Sequence, residues 1–259
     1  MSKSLRAAML VAAALASGSG PALAGEVLDA IRARGALRVG TTGDYKPFSF
    51  RGPDGGYRGA DIRMAERLAA ALAVKVEYVP TVWAEINRDF EAKRLDVAMG
   101  GVTVQPNRAK LGPFTPATFV DGKRPIVRCA DKDRLTSVEA INQPEVRVVV
   151  NPGAANESFA RENFRGAKLT VHRDNATVFD EVRQGRADVM VTDGIEVDHQ
   201  AHLHPELCAA KVAQPFTRLE KAYWVQDDKD LVAAVNAWLG DEMASGRWRA
   251  TLDEALAEP

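Results

Sequence analysis

Short apolar runs alternate with helical stripes along most of this chain. Leu37-Arg38-Val39-Gly40-Thr41 reads as a short buried strand, followed by a Gly/Pro-rich loop from Gly43 to Gly59. Ile62 to Ala73 then has helical spacing, with Ile62, Ala65, Leu68, Ala69 and Leu72 on one face. Val74 to Val79 alternates like a strand, Trp83 to Ala92 is predicted as a second amphipathic helix, and Leu95 to Met99 as another apolar strand. Strands separated by helices in this way predict parallel βαβ units, an α/β fold.

The second half repeats the plan. Val146 to Val150 is a predicted strand, and Asn151-Pro152-Gly153-Ala154-Ala155-Asn156 a tight loop opening a helix. The segment from Val178 to Met190 echoes that from Arg88 to Met99: a helix, a brief basic break, then an Asp (Asp188, Asp96) leading an apolar strand. Two similar lobes follow from the echo. Pro-containing breaks at Asp121 to Pro125 and Gln214 to Glu220 suggest two crossovers. They divide the chain into residues 25–122 with 218–259 as one lobe and 123–217 as the other. Ligands of α/β folds sit outside the carboxyl ends of strands, so the loops after Val39, Met99, Val150 and Val191 are expected around one cleft.

Before the first strand lies a different pattern. Lys3 and Arg6 precede an apolar run from Ala7 to Ala16, and small residues end in Ala22-Leu23-Ala24. That order predicts an export signal over residues 1–24, because the run is shorter than the roughly 20 residues a membrane span needs. Removing it moves the formal net charge from −1 to −3. No block of like charge is present, so neither nucleic acid nor an anionic membrane surface is an expected partner. The expected product is a soluble exported chain. In an oxidising compartment Cys129 and Cys208 read as a possible disulfide, with two separately buried thiols as the alternative.

The cleft loops carry the candidate chemistry. The first offers Asp44 and Tyr45, the next connection Trp83, and the third Thr103 and Arg108. An arginine fork can hold a carboxylate through two parallel charge-assisted hydrogen bonds. In the second lobe, Asn151 and the amides after Gly153 stand at a predicted helix start, which favours an anion. Anion receivers on both lobes suit a ligand with two carboxylates. Each residue also has a plainer reading: a solvated arginine for Arg108, a core residue for Trp83, a turn at Gly153, and a helix cap for Asp193 with Thr192 as its rival.

These stretches resemble the family 3 extracellular solute-binding proteins over essentially the whole mature chain, and most closely their periplasmic cyclohexadienyl dehydratase branch. The resemblance rests on Thr103 to Arg108, Tyr45-Lys46-Pro47-Phe48-Ser49, Gly59-Ala60-Asp61-Ile62, Asn151-Pro152-Gly153, Asn156-Glu157, Thr192-Asp193-Gly194-Ile195-Glu196, Leu203 to Cys208 and Glu220-Lys221-Ala222-Tyr223. It implies a two-lobed periplasmic binding protein-like (type II) fold with a hinged interlobe cleft. It implies conversion of prephenate to phenylpyruvate, or arogenate to phenylalanine, without a cofactor. Glu196 carries over as the general acid, with Arg108, Thr103, Asn151, Trp83, Asp44, Asp193 and Lys221 around the substrate. Where the branch is expected to have Gly-Thr after Gly153, this chain has Ala154-Ala155, which removes a hydroxyl donor.

The rival expectation is a non-catalytic receptor that passes an amino acid or similar carboxylate to an ABC transporter. A receptor needs the clamp but no proton donor three residues past Asp193, so Glu196 discriminates the two. A metal site at His199, His202, His204 and Cys208 is disfavoured by the lack of HExxH or paired CxxC spacing. No G-x-S-x-G elbow or P-loop is present.

Overall fold

The computed structural model describes residues 25–153 and 155–258. The expected export signal and Ala154 lie outside the described residues. The chain folds as two α/β lobes, each built on its own sheet.

In the first sheet, Ala36–Thr41 pairs in parallel with Lys75–Pro80 on one side and Val97–Ala98 on the other, and Trp224–Val225 closes the edge antiparallel. In the second, Arg147–Val150 lies between Lys168–Val171 and Val189–Asp193, all parallel. Lys123–Arg128 and Leu207–Ala209 continue that sheet antiparallel. Every residue of Val189–Asp193 is buried, as expected of a strand covered on both faces; Val189 to Val191 are apolar, and Thr192 and Asp193 end it at the cleft.

Each lobe has an apolar core. Leu37 and Val39 of the first sheet pack with Met64, Ala65 and Leu68 of helix Ala60–Ala71, and with Leu231, Val235 and Leu252 from the end of the chain. The helix therefore buries the stripe read from its 3.6-residue spacing, and fully burying one such leucine contributes about 2 kcal/mol. Asp228 ties the last helices to the first: it caps helix Lys229–Ala244 and accepts the Val27 amide at 2.7 Å. In the second lobe Val127, Val148, Val150, Val189 and Val191 pack with Phe164 and Ala160.

The chain crosses between the sheets twice. The two crossings pair with each other, Phe119–Asp121 running antiparallel to Leu219–Lys221.

Some boundaries differ from the sequence expectation. The helix expected over Trp83–Ala92 covers only Ile86–Glu91, with Trp83 in the turn before it, and the strand expected over Leu95–Met99 is Val97–Ala98. Asp89 accounts for part of this: its carboxylate takes the Thr81 hydroxyl and the Arg94 guanidinium, fastening the ends of the helix to flanking loops.

Cys129 and Cys208 form a disulfide, their Cα atoms 4.8 Å apart. It ties the chain after strand Lys123–Arg128 to edge strand Leu207–Ala209, and closing a loop of this length contributes about 4 kcal/mol in the chain-entropy account. The bridge takes Cys208 away from the histidine cluster. No helix among the described residues is long and apolar enough to cross a membrane.

Candidate functional site

The first lobe builds its side of the site by fixing one loop. Asp61, in the first turn of helix Ala60–Ala71, accepts the amides of Gly100 (3.0 Å) and Gly101 (2.7 Å) and the hydroxyl of Tyr223 (3.0 Å). Trp248 of the final helix holds that hydroxyl from behind at 3.0 Å. Burial lifts Asp61 to about 6, while the hydrogen bonds it accepts oppose the rise. Gly101 has φ +74°, and a Cβ there would come within 2.5 Å of the Tyr45 ring, so only glycine lets the loop lie against Tyr45.

That loop presents Thr103 and Arg108. Arg108 sits on the short helix Pro106–Ala109 and is 1% exposed. Its Nε donates to Asn87 Oδ1 at 3.0 Å and its Nη1 to the Thr103 carbonyl at 3.1 Å. Among the described residues no acid pairs with it, and burial pulls it down to about 10. A guanidinium buried without a carboxylate is a receiver for an external anion. The Trp83 ring lies 6.0 Å from it.

The second lobe contributes a network centred on Asp193, the last residue of strand Val189–Asp193. Asp193 occupies the N-cap position of helix Gly194–Leu203, yet its side chain does not cap. Its Oδ1 receives Lys123 Nζ at 2.7 Å, and its Oδ2 receives Lys221 Nζ and the Tyr45 hydroxyl, both at 2.6 Å. Burial alone would push this carboxyl up, but the two ammoniums hold it well below the usual carboxylate range. The capping reading of Asp193 is thereby replaced by an ionic one. Lys221 also donates to Thr103 Oγ1 at 2.7 Å, so Asp193 and Lys221 join the two lobes.

Beside this pair runs a neutral chain. Asn156 accepts from Lys123 and donates to Asn151 Oδ1 and Thr192 Oγ1, each at 3.0 Å, and the Thr192 hydroxyl donates to Glu196. Glu196 stands in the first turn of helix Gly194–Leu203 and is 4% exposed. Burial lifts it to about 8, and the charge of Asp193 adds to the rise against the hydrogen bond from Thr192. At neutral pH it therefore holds its proton.

Arg108, Thr103, Lys221, Asn151, Trp83, Asp193 and Glu196 line one interlobe cavity of about 30 Å³. That is room for a water or two, so a ring-bearing ligand enters only when the lobes part. Asp44 is the exception among the predicted residues. It accepts the Trp83 indole N–H at 3.0 Å, and burial raises its carboxyl. It faces a neighbouring cavity of about 260 Å³ that meets the first at Glu196 and Asn175.

The Gly153 turn packs against the other lobe. Its amide donates to Glu157 at 2.6 Å rather than into the cavity, and a Cβ at Gly153 would lie 2.3 Å from the Ala84 Cα. The turn serves close contact between lobes, and the polar groups facing the cavity come from Asn151 and Asn156. Sequence reasoning left Lys123, Asn156 and Asn175 out of the site and offered Tyr45 only as a residue of the first cleft loop. The signal for Lys123 was a single lysine heading the apolar strand Pro125-Ile126-Val127.

Residues 37–257 match the family described as bacterial extracellular solute-binding proteins, family 3. The chain is 45% identical over 229 residues to the cyclohexadienyl dehydratase of Pseudomonas aeruginosa, covering 88% of this chain and 85% of the relative. An ancestral amino acid-binding protein, described as a precursor of cyclohexadienyl dehydratase, superposes with a TM-score of 0.81 at 35% identity, covering 88% of this chain and 98% of its own. An ancestral cyclohexadienyl dehydratase is 48% identical with a TM-score of 0.56, covering 92% of this chain and 99% of its own.

Proposed function

The chain belongs to the bacterial extracellular solute-binding proteins, family 3, and from that premise we propose that it is a cyclohexadienyl dehydratase, a carbon–oxygen lyase acting on prephenate, arogenate or both. The observation that carries the proposal is Glu196, a carboxyl kept neutral by burial on the wall of a cavity that also presents Arg108, Lys123 and Lys221.

The chemistry needs little else. The ring hydroxyl leaves readily only as water, so it must gain a proton as its C–O bond breaks. Glu196 donates that proton. The ring carboxylate loses carbon dioxide, and its bonding pair enters the ring, which becomes aromatic as the C–O pair departs with the leaving water. Glu196, now a carboxylate, regains a proton from solvent before the next turnover. Such an acid contributes about 10²–10⁴-fold in rate.

The other roles follow from charge and position. Arg108 holds one substrate carboxylate, with Thr103 beside it. Lys221 and Lys123 attract the other, Asn151 adds a hydrogen bond, and Trp83 covers the ring. Asp193 positions the two lysines, and Asp44 positions Trp83. No step calls on a cofactor. Residues 25–122 with 218–259 form one lobe and 123–217 the other, hinged at the paired crossings. Residues 1–24 are a signal removed after Ala24, which places the protein in the periplasm.

The family's receptors support a second reading, a binding protein that delivers an amino acid or related carboxylate to an ABC transporter. Turnover separates the two. Pure protein mixed with prephenate is expected to release phenylpyruvate, and Glu196→Gln to bind substrate but release almost none. No product at high protein concentration would favour the receptor.

A further inference from the structure

The arrangement of charge around the cavity bears on which substrate it accepts. Prephenate carries two carboxylates and no cation. Arogenate carries the same two carboxylates and an α-ammonium. A site that holds a buried ammonium must offer it an ionised carboxylate with an acceptor to spare.

Two acids line the main cavity, Asp193 and Glu196. Asp193 already balances more than its own charge, with two ammoniums on one carboxylate. Lys123 occupies one of its oxygens, and Lys221 and Tyr45 occupy the other, at 2.6–2.7 Å. Glu196 is neutral near pH 7 and offers no charge. Asp44 faces the neighbouring cavity and already receives the Trp83 indole.

The cations, in contrast, are in excess. Arg108 has no acid partner among the described residues, and Lys123 and Lys221 share a single carboxylate. Burial pulls Lys221 below the ordinary lysine value, Asp193 opposes this, and the neighbouring Lys123 charge adds to it. A second anion near the lysines would relieve that strain. The cavity thus has two places where negative charge is missing, one at Arg108 and one at the lysine pair, and none where positive charge is missing.

Resting on the dehydratase reading, we propose that this cavity selects the dianionic keto acid, prephenate, over the amino acid arogenate, and that Lys123 sets the preference. Lys123 supplies the second ammonium on Asp193. Without it, Asp193 and Lys221 form a balanced pair, and a ligand ammonium approaching Asp193 meets one cation instead of two.

Both substrates are given to the parent protein and to Lys123→Met and Lys123→Arg, and kcat/KM is compared. The parent is expected to favour prephenate by about tenfold or more, the effect of one unpaired buried charge. Lys123→Met should lower that ratio about tenfold, while Lys123→Arg, which keeps the charge, should retain most of it. Equal or better use of arogenate by the parent, or a ratio unmoved in Lys123→Met, overturns the inference and leaves the dehydratase reading standing. If the parent turns over neither compound, that reading fails, and calorimetry on the parent decides the selectivity alone. Tighter binding of prephenate upholds it, and equal binding or none overturns it.

Discussion

The two lobes solve one problem identically and another in opposite ways. At the end of each sheet away from the cleft, a buried aspartate at the head of an apolar strand accepts the backbone amide of the neighbouring strand and gathers arginines. Asp96 takes the Arg38 amide at 2.8 Å with the side chains of Arg34 and Arg38, and Asp188 takes the Arg147 amide at 2.9 Å with Arg147 and Arg128. Asp188 is held at about 2, its arginine partners outweighing burial. At the cleft end the likeness stops. The first lobe buries a cation without an acid, and the second buries an acid under two cations and, four residues past Thr192, a neutral carboxyl. The lobe plan thus recurs where it stabilises the sheets and diverges where it meets a ligand.

Substitutions at the two ends should separate in kind as well as size. The largest effect is expected from Glu196→Gln, which keeps shape and removes the acid: kcat falls about 10²–10⁴-fold with the melting temperature and substrate affinity nearly intact. A fall in stability matching the loss of rate would make Glu196 a structural residue and end the contrast. Next comes the disulfide. Replacing both Cys129 and Cys208 by alanine should cost about 4 kcal/mol in denaturant unfolding, and a loss confined to the second lobe would show that the lobes unfold separately.

Arg108→Lys keeps charge but loses the fork, so substrate affinity by calorimetry on the Glu196→Gln background should weaken about tenfold. Unchanged affinity would place the carboxylate elsewhere. The smallest effect on function is expected from Asp96→Asn at the far end: no change in kcat, with about 1 kcal/mol of stability lost, since its arginines are partly exposed and screened. A rate loss there would erase the division between the ends.

The same contrast explains what could be read from sequence. The sheet-stabilising end uses local signals, an Asp before an apolar run and a basic break before it, so the echo of Asp96 in Asp188 was visible and located two lobes. Strands such as Arg147–Val150 and helix Ala60–Ala71 were legible from periodicity. Glu196 was reached through the family resemblance of Thr192 to Glu196, not through spacing or periodicity. Lys123 carries only a weak mark, a lysine heading an apolar run, because its partners Asn156 and Asp193 and the neighbouring Lys221 converge from three separate parts of the chain. Asp44 was placed in the substrate cavity because its loop follows a cleft strand, but the short strand pairing of Asp44–Tyr45 with Ser49–Arg51 sends Tyr45 to Asp193 while Asp44 turns to Trp83. The amides after Gly153, expected to favour an anion, begin at Ala154, outside the described residues.

The most direct test is the pH dependence of prephenate turnover. A carboxyl lifted to about 8 by burial works as an acid only while it holds its proton, so kcat should be level at neutral pH and fall as pH rises through about 8. Glu196→Gln should lack that step in whatever rate remains. A parent kcat that is unchanged between pH 7 and about 9, or that rises across that range, would contradict the account.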